Sequence, residues 1–392
     1  MNIRNMQLPF WVMDQYAYKA MGLDKAIKRA SSSNGVQQAR YPWETLENGD
    51  ESSPSGFWHD HVFHMACIAM TEYYYYIYTQ DKQFLQKEGY PVIQACAMFY
   101  INHMIYESAD NKLKVAKCTD MERLGASVSN GYMTMCAIIK TIKIFCETAD
   151  ILGLNDAHKY TELPQRLIES LPNDGKEYIP YDGCLETSVG LMGGTYPFDV
   201  IDKENELQRN GINSYFSREE KTGNMYAVGT GVCPWYKAWK AIVLGRLGKM
   251  EEAYQAIKST VNNTGNFGEM YEINDRITGT ILRPWFATAS GVFIQAVNEM
   301  FVKYKNGLIY IGATLPKEIN DCSFRLACGY GITAEVTIQS GSIVKLRLTS
   351  LLHTKDVDVA VLSRLSPEKL QGVNIKERIG EFQIIQCKVM EE

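Results

Sequence analysis

The chain has 392 residues, of which 46% are hydrophobic and 22% are charged, and its formal net charge is −5. This composition is typical of a globular protein with a sizeable core, and it argues against a nucleic-acid partner, which would require a basic surface. No segment approaches the ~18 or more consecutive apolar residues of a membrane span, and the N-terminus leads into no apolar signal segment.

From about residue 8 to residue 304, apolar residues recur at the three- and four-residue spacing that is typical of helices. Loops rich in Gly, Asn, Asp and Pro separate the helical segments. Long helices that alternate with long polar loops predict paired helices in a barrel, with the functional loops gathered at one end. The clearest helical segments are 60–80, 91–107, 128–153, 158–170, 231–246, 249–261 and 286–304, and the loops are 47–56, 108–126, 172–184 and 262–284.

Beyond about residue 305 the apolar period changes to two, which predicts β-strands. The sequence therefore predicts a mainly α-helical domain over residues 1–304 and a small C-terminal β-domain over residues 305–392. The predicted strands include 308–311, 334–338, 344–348 and 357–361.

Ten cysteines are scattered along the chain without a Cys-x-x-Cys pair, and several lie inside apolar helical runs. This pattern favours reduced, buried thiols over a disulfide framework. We therefore expect a non-membrane chain that is cytoplasmic as given, with export open if an N-terminal segment is missing. The oligomeric state stays open, and a homodimer is one alternative.

The segment 39–45, Ala-Arg-Tyr-Pro-Trp-Glu-Thr, combines a rigid turn, an aromatic ring and a carboxylate, and Gly-Asp-Glu follows at 49–51. Trp43 can stack on the apolar face of a pyranose ring, while Glu44 and Glu51 can accept hydrogen bonds from its hydroxyl groups. The segment predicts a sugar pocket, and an ordinary loop between two helices is the alternative.

Two acidic loops are candidates for the chemistry. Glu122 lies in the loop 117–123, and Glu269 and Glu272 lie in the loop 265–272. Cleavage of a glycosidic bond requires one carboxyl group that protonates the leaving oxygen and a second that activates water. Most of the 45 acidic residues are expected to be solvated, so the pairing of these two loops is a hypothesis.

Three histidines, His59, His61 and His64, are close together in the sequence, but no set of Asp or Glu at ligand spacing accompanies them. We therefore predict no metal site, and expect a sugar-contacting or core histidine instead. The chain also lacks a phosphate-binding Gly-x-x-x-x-Gly-Lys loop and a Gly-x-Ser-x-Gly nucleophile elbow, which disfavours nucleotide and esterase chemistry. No cofactor is predicted.

In their order along the chain, these motifs resemble the catalytic domain of family 65 glycoside hydrolases and phosphorylases. The resemblance rests on the segment 39–45 with the Gly-x-Glu after it, on the histidine-containing helix start at His61, and on Tyr-Thr-Gln-Asp-Lys-Gln-Phe-Leu at 78–85. It implies an (α/α)6-type barrel of the six-hairpin glycosidase kind over residues 1–304, followed by a small β-domain. It also implies an inverting enzyme that acts on α-glucosides.

The resemblance further implies roles for the acidic residues. Glu122 is expected to be the general acid, because it stands ten residues before Tyr132, although the family's Pro-Asp-Glu is Asp-Met-Glu here. The base is expected in the loop before the last barrel helix, where Glu272 is preferred and Glu269 is the second choice. The family's phosphorylases keep a His- and Ser-rich phosphate site near that helix, and 262–300 contains no histidine. Hydrolysis is therefore favoured over phosphorolysis.

The chain departs from the family pattern in three places. The family's N-terminal β-sandwich and the first part of its barrel have no counterpart, so we expect a truncated member. Residues 182–188 lack the family's glucose-binding Lys-Gln pair, which leaves the sugar open. Arg-Pro-Trp-Phe at 283–286 is similar to the fucosidases of family 95, which belong to the same wider barrel group.

The predicted protein is an inverting glycoside hydrolase that acts on an oligosaccharide or glycoconjugate. A carbohydrate-binding remnant without catalysis and an inverting disaccharide phosphorylase are the alternatives. The predicted substrate contacts are Trp43, Glu44, Glu51, His61 and Trp285.

Overall fold

The structure is a computed structural model that describes residues 23–30, 37–46, 48–121, 126–222, 233–275, 280–305, 307–352, 355–371 and 373–391. The chain is mainly helical up to Phe301 and mainly β-stranded from Val302 onward. The helices are α1 (23–29), α2 (His64–Thr79), α3 (Tyr90–Phe99), α4 (Tyr132–Leu152), α5 (Leu163–Glu169), α6 (Glu206–Thr222), α7 (Pro234–Arg246), α8 (Met250–Val261) and α9 (Ala287–Phe301).

The helix α4 is the central element of the first helical group. Its apolar residues recur on several faces, and it packs against α2, α3 and α5. It ends at Gly153, whose φ of 72° is the left-handed conformation that glycine adopts at helix C-termini. A second group is formed by α7, α8 and α9, in which α7 contacts both of the others.

Two short hairpins interrupt the helical part. The first pairs β1 (Ile105–Glu107) with β2 (Leu113–Val115). The helical prediction for 91–107 is therefore wrong at its end, because the aromatic and β-branched residues there pair across a turn in which Asn111 has a φ of 60°. The second hairpin pairs β3 (Tyr271–Asp275) with β4 (Thr280–Pro284) inside the predicted loop 262–284.

The C-terminal strands form two sheets, of orders β11-β12-β10-β6-β5 and β13-β9-β8-β7. Neighbouring strands are antiparallel except for the parallel pairs β10–β6 and β13–β9. The strands are β5 (Val302–Lys305), β6 (Leu308–Ile311), β7 (Cys322–Gly329), β8 (Ile332–Gln339), β9 (Ser342–Ser350), β10 (Val357–Leu362), β11 (Asn374–Ile379), β12 (Phe382–Cys387) and β13 (Val389–Glu391).

The two sheets enclose one apolar core. Ile309 and Ile311 of the five-stranded sheet share this core with Val336 and Leu348 of the four-stranded sheet. The alternation predicted for 334–338 is confirmed, because every second side chain of this segment is buried.

A buried charge network lies where the helices meet the first β-strand of this core. Arg246 donates through Nη2 to Glu299 Oε1 at 2.6 Å and through Nε to Oε2 at 3.0 Å. Its Nη1 donates to the Thr195 carbonyl at 3.0 Å and lies 3.6 Å from Asp199 Oδ1. The Lys305 ammonium on β5 donates to the same Asp199 oxygen at 2.9 Å. The network therefore ties α7, α9 and β5 together.

All ten cysteines are free thiols in the structure, and seven of them are buried. This agrees with the prediction of reduced, buried thiols. Within the described ranges, no helix has both the length and the apolar content that crossing a bilayer requires.

Candidate functional site

Five rings form a compact group, the Trp43 cluster, which consists of Trp43, Trp58, His61, Phe63 and His64. The Trp43 indole stacks on the His61 imidazole, with centroids 4.4 Å apart and planes inclined by 22°. Trp58 lies on the same imidazole at 5.7 Å and 29°. Phe63 and His64 present their edges to Trp43 at 5.5 and 5.3 Å. The cluster is a half-buried aromatic wall built around one histidine.

The backbone of 39–45 holds Trp43 in place. Ala39 donates its amide to the Ala95 carbonyl of α3 at 3.0 Å, and the Tyr41 carbonyl lies 3.2 Å from Nε2 of His64 at the start of α2. Trp43 is thus carried by a segment bound to two helices of the first group. Contacts with both helices therefore hold the predicted turn in place.

Glu44 and Glu51 lie on the turn that follows Trp43. Thr45 pairs with Glu51 in an antiparallel bridge, and Ser52 donates its amide to the Glu44 carbonyl at 3.0 Å. The Glu44 side chain is exposed. Glu51 Oε1 lies 3.6 Å from His59 Nδ1. The structure therefore places both carboxylates at the edge of the turn that carries the Trp43 indole.

His61 is the most enclosed member of the cluster. Its side chain is 1% exposed, and neither ring nitrogen has a hydrogen-bond partner among the described residues. Burial lowers the pKa of His61 to about 4, because the imidazolium would lose its hydration. The ring is therefore neutral at pH 7 and presents one N–H donor and one nitrogen acceptor.

The loop that carries the predicted general acid begins next to His61. His61 pairs with Thr119 in a parallel bridge, and the Thr119 amide donates to the Asp60 carbonyl at 3.1 Å. The Thr119 hydroxyl donates to the Phe57 carbonyl at 2.7 Å. Glu122, three residues further on, lies outside the described residues.

Asp120 fixes this loop to the start of α4. Its Oδ1 accepts from the Thr134 amide and hydroxyl, both at 2.7 Å, and its Oδ2 accepts from the Met133 amide at 3.3 Å. The carboxyl group is buried, and this burial raises its pKa to about 6. A Cβ on Gly131 would lie 2.5 Å from the Asp120 carboxyl group, so glycine is required there.

The other predicted site residues lie on the second hairpin or directly before and after it. Glu272 on β3 forms an ion pair with Arg283 on β4, with 3.1 Å between Oε2 and Nη1. Glu269 accepts from the Phe267 amide and from the Tyr271 hydroxyl, each at 2.9 Å. Hydrogen bonds from its own backbone and from these groups hold the pKa of Glu269 below its ordinary value. Trp285 is 68% exposed.

The predicted residues thus fall into two groups. Trp43, Glu44, Glu51 and His61 lie together beside the loop 117–121, whereas Glu269, Glu272 and Trp285 lie together on the hairpin. Within the described part of the chain, no hydrogen bond, ion pair or ring contact joins the two groups. The described residues also contain no set of three His, Cys, Asp or Glu side chains arranged as metal ligands.

Two residues next to the first group, Trp58 and Asp120, are not among the residues predicted from the sequence. Trp58 stacks on His61, and Asp120 anchors the loop. The aromatic pair 57–58 just ahead of the histidines was a usable signal for Trp58. Asp120 had only a weak signal, because its partners on α4 are more than ten residues away in the sequence.

One protein-family model matches the first part of the chain. Residues 3–174 match the model described as "Glycosyl hydrolase family 65 central catalytic domain". This segment is related to the family 65 catalytic domain. It contains the whole Trp43 cluster, the loop that includes Glu122, and α2 to α5.

The family 65 relatives include both hydrolases and phosphorylases. The chain is 26% identical to a kojibiose hydrolase of Mucilaginibacter mallensis over 77% of this chain and 43% of the relative. It is 23% identical to a kojibiose phosphorylase of Halothermothrix orenii over 88% of this chain and 50% of the relative. The chain spans about half the length of the curated relatives it matches.

The fold resembles a solved structure assigned to a kojibiose phosphorylase from the human microbiome, with a TM-score of 0.61 at 13% identity. This similarity covers 99% of the present chain and 54% of the other chain. The similarity therefore extends beyond the family 65 segment through the hairpin and the C-terminal sheets.

Proposed function

We propose that this protein is an inverting glycoside hydrolase that cleaves an α-glucoside in an oligosaccharide or glycoconjugate. The observation that carries the proposal is the Trp43 cluster in a family 65 segment, with a neutral, buried histidine next to the loop of Glu122. An aromatic wall with a few fixed polar groups is the usual chemistry of a sugar site.

The proposed roles follow the two groups of residues. Trp43 stacks on the sugar ring, and Glu44 and Glu51 bind hydroxyls from the edge of the turn. His61, which the sequence predicted as a sugar contact, is 1% exposed and supports the Trp43 indole instead. Glu122 donates a proton to the glycosidic oxygen, and Glu272 removes a proton from the attacking water, with Glu269 as the second choice. In an inverting enzyme the two carboxyl groups stand about 6.5–9.5 Å apart, which leaves room for this water.

The same proposal includes the architecture. Residues 1–304 would form an (α/α)6-type barrel that holds the site, and residues 305–392 would form a separate β-domain. Packing of α2 to α5 in one group and α7 to α9 in another supports a domain built of packed helices. The similarity in fold to a family 65 phosphorylase structure also supports it.

The test is product analysis with the purified chain and kojibiose, with and without inorganic phosphate. We expect release of glucose that is independent of phosphate and is first seen as the β-anomer by NMR. Glu122→Gln should lower turnover by about 10²–10⁴-fold, because the leaving oxygen loses its proton donor. Glu88→Gln, at an exposed helical position away from the site, is the matched control.

Two results would contradict the proposal. Release of glucose 1-phosphate only when phosphate is present would identify a disaccharide phosphorylase, an alternative that the phosphorylase among the relatives keeps open. Binding of kojibiose without turnover, unchanged in Glu122→Gln, would identify a carbohydrate-binding protein.

A further inference from the structure

The strand β5 brings a further cation to the buried charge network around Arg246. Lys303 and Lys305 lie two residues apart on this strand, so their side chains point to the same face of the sheet. Lys305 joins the network through its 2.9 Å hydrogen bond to Asp199. Lys303 is half-buried, and its ammonium lies 5.4 Å from the centroid of the Tyr310 ring, directly opposite on β6.

The carboxylates of the network are paired with the other two cations. Both oxygens of Glu299 accept from Arg246, at 2.6 and 3.0 Å. Asp199 Oδ1 accepts from Lys305 at 2.9 Å and lies 3.6 Å from Arg246 Nη1. Among the described residues, the Lys303 ammonium donates no hydrogen bond and has no carboxylate at ion-pair distance. The positive charge of Lys303 is therefore not paired within this network.

The charges of the network do not balance. The cations of Arg246, Lys303 and Lys305 stand against the two carboxylates of Asp199 and Glu299. Two further lysines and two further carboxylates act on the network from its edge, so the surplus of one positive charge stays the same. These outer groups are Lys140, Lys143, Glu147 and Asp202. A charge that is withdrawn from water is costly unless an opposite charge accompanies it, so the surplus calls for an anion.

The surroundings of Lys303 disfavour its charged form. Burial is the largest cause that lowers the pKa of the Lys303 ammonium to about 8, and repulsion from Arg246 and Lys305 acts in the same direction. Glu299 and Asp199 oppose this shift without cancelling it. The face of Tyr310 attracts the ammonium but supplies no counter-charge. Lys303 is therefore still mostly protonated at pH 7, in a place where a nearby anion would stabilise its charge.

We propose that a small monovalent inorganic anion, such as chloride, binds beside the Lys303 ammonium at the junction of the helices and the β-strands. The ammonium has three N–H donors, and one negative charge matches the surplus of one positive charge. A divalent anion would be repelled by Asp199 and Glu299, whose side chains are 18% and 5% exposed and whose charges water screens only weakly. The bound anion stabilises the junction, because it pairs the remaining cation.

The test compares urea unfolding of the full chain at pH 7 in sodium chloride and in sodium methanesulfonate at equal ionic strength. Methanesulfonate is the reference because it is a larger organic anion of the same charge. For a site with a Kd of about 10 mM, about 100 mM chloride should lower the unfolding equilibrium constant by about tenfold relative to methanesulfonate. Phosphate at the same ionic strength should have a smaller effect than chloride, because of the two carboxylates.

Substitutions of Lys303 locate the effect. Lys303→Met removes the charge and keeps an apolar side chain of similar length, so the difference between chloride and methanesulfonate should disappear. Lys303→Arg keeps the charge and should keep most of the difference. Lys376→Met is the matched control, since Lys376 lies on another strand of the same sheet and already pairs with Asp358 at 2.6 Å. This control should respond to chloride like the natural chain.

A change of pH tests the site without removing the lysine. At pH 9.5 the natural chain should lose the chloride effect, because Lys303 gives up its proton around a pKa of about 8, whereas Lys303→Arg should keep it.

Three results would overturn the inference. They are equal unfolding of the natural chain in chloride and methanesulfonate, a chloride effect that survives in Lys303→Met, and a larger effect of phosphate than of chloride. None of these measurements uses a sugar, so their outcome is independent of the proposed function.

Discussion

The Trp43 indole covers the His61 imidazole, with ring centroids 4.4 Å apart and planes inclined by 22°. Trp58 lies on the same imidazole at 5.7 Å, and the His61 side chain is 1% exposed. The indole therefore has two effects, since it offers a stacking face and it keeps the histidine neutral.

Trp43→Ala should raise the pKa of His61 from about 4 towards its ordinary value of 6.5, because water would reach the ring. A pH titration of the His61 ring signals by NMR measures this shift directly. Trp285→Ala, which removes an exposed indole next to the second hairpin, is the control and should leave the titration of His61 unchanged. A His61 pKa that does not move in Trp43→Ala would show that other residues exclude the water.

His61 and Asp120 should have opposite effects on stability in acid. Unfolded His61 takes up a proton near pH 6.5 and folded His61 only near pH 4, so its contribution to stability is lost as the pH falls through this window. Folded Asp120 takes up a proton near pH 6 and unfolded Asp120 near pH 3.8, so its contribution rises as the pH falls. The two effects largely cancel in the natural chain.

Single substitutions should reveal each effect. We compare how the unfolding free energy changes when the pH is lowered from 6.5 to 4. Relative to the natural chain, this change should be about 3 kcal/mol less favourable in Asp120→Asn and more favourable by a similar amount in His61→Phe. Urea unfolding at the two pH values gives both differences. If the pH dependence of the unfolding free energy shifted in the same direction in both variants, the opposite effects assigned to His61 and Asp120 would be wrong.

Gly131→Ala should damage the site through Asp120. The new methyl group would lie 2.5 Å from the Asp120 carboxyl group, which is buried and has little room to move. Displacing this group would break its hydrogen bonds to Met133 and Thr134. A buried polar group left without a partner lowers the unfolding free energy by about 1–3 kcal/mol. The midpoint temperature of thermal unfolding and the glucoside hydrolase activity should both fall.

Gly175→Ala is the matched control for Gly131→Ala. No atom lies within 4 Å of a Cβ at this position, so only its left-handed φ of 87° is unfavourable. We expect about 1 kcal/mol of destabilisation there and normal activity. A Gly131→Ala variant as active as Gly175→Ala would mean that Asp120 does not position the loop of Glu122.

The Arg246–Glu299 pair should dominate the stability of the junction between the helices and the first strand of the β-core. The two side chains are 12% and 5% exposed, and removing one charge would leave the other buried without its partner. Arg246→Met and Glu299→Gln should each cost about 3–5 kcal/mol, and the double variant should cost less than their sum. Denaturant unfolding measures all three values.

An exposed ion pair provides the control for that cycle. Lys345 and Glu335 are 2.5 Å apart on neighbouring strands, with side chains 49% and 38% exposed. Lys345→Met should leave the unfolding free energy nearly unchanged, because water screens an exposed ion pair. A similar cost for the buried and the exposed pair would contradict the structural role given to Arg246.

Glu272 and Glu269 can be distinguished as the base by their hydrogen bonds. Glu269 already accepts from Phe267 and Tyr271, which stabilise its charged form and occupy both of its oxygens. Glu272→Gln should therefore reduce the rate of glucoside hydrolysis by about 10²–10⁴-fold, and Glu269→Gln by much less. Steady-state kinetics on kojibiose compare the two, and the reverse order would exchange their roles.

The local pattern of apolar residues was sufficient to predict many of the helices and strands. The three- and four-residue period of 128–153 and the two-residue period of 334–338 correspond to α4 and β8, because each periodicity follows from the geometry of one element and one buried face. The resemblance to family 65 also followed from contiguous motifs, and residues 3–174 confirm it.

Other features depended on tertiary contacts. The segment 271–284 lacks a clear period and forms a hairpin because its two halves pair with each other across the tip. Trp58 joins the cluster, and Asp120 reaches Thr134, through contacts between chain segments that composition does not specify.

The sequence by itself therefore determined the order of helices and strands, the family 65 segment and the types of residue available for sugar binding. Only the tertiary structure decided that His61 is enclosed and neutral, that Asp120 anchors the segment 117–121 to the start of α4, and that Trp285 is exposed beside an ion pair. The physical reason is that periodicity is a local property, whereas burial, pKa and stacking depend on residues that are distant in the sequence.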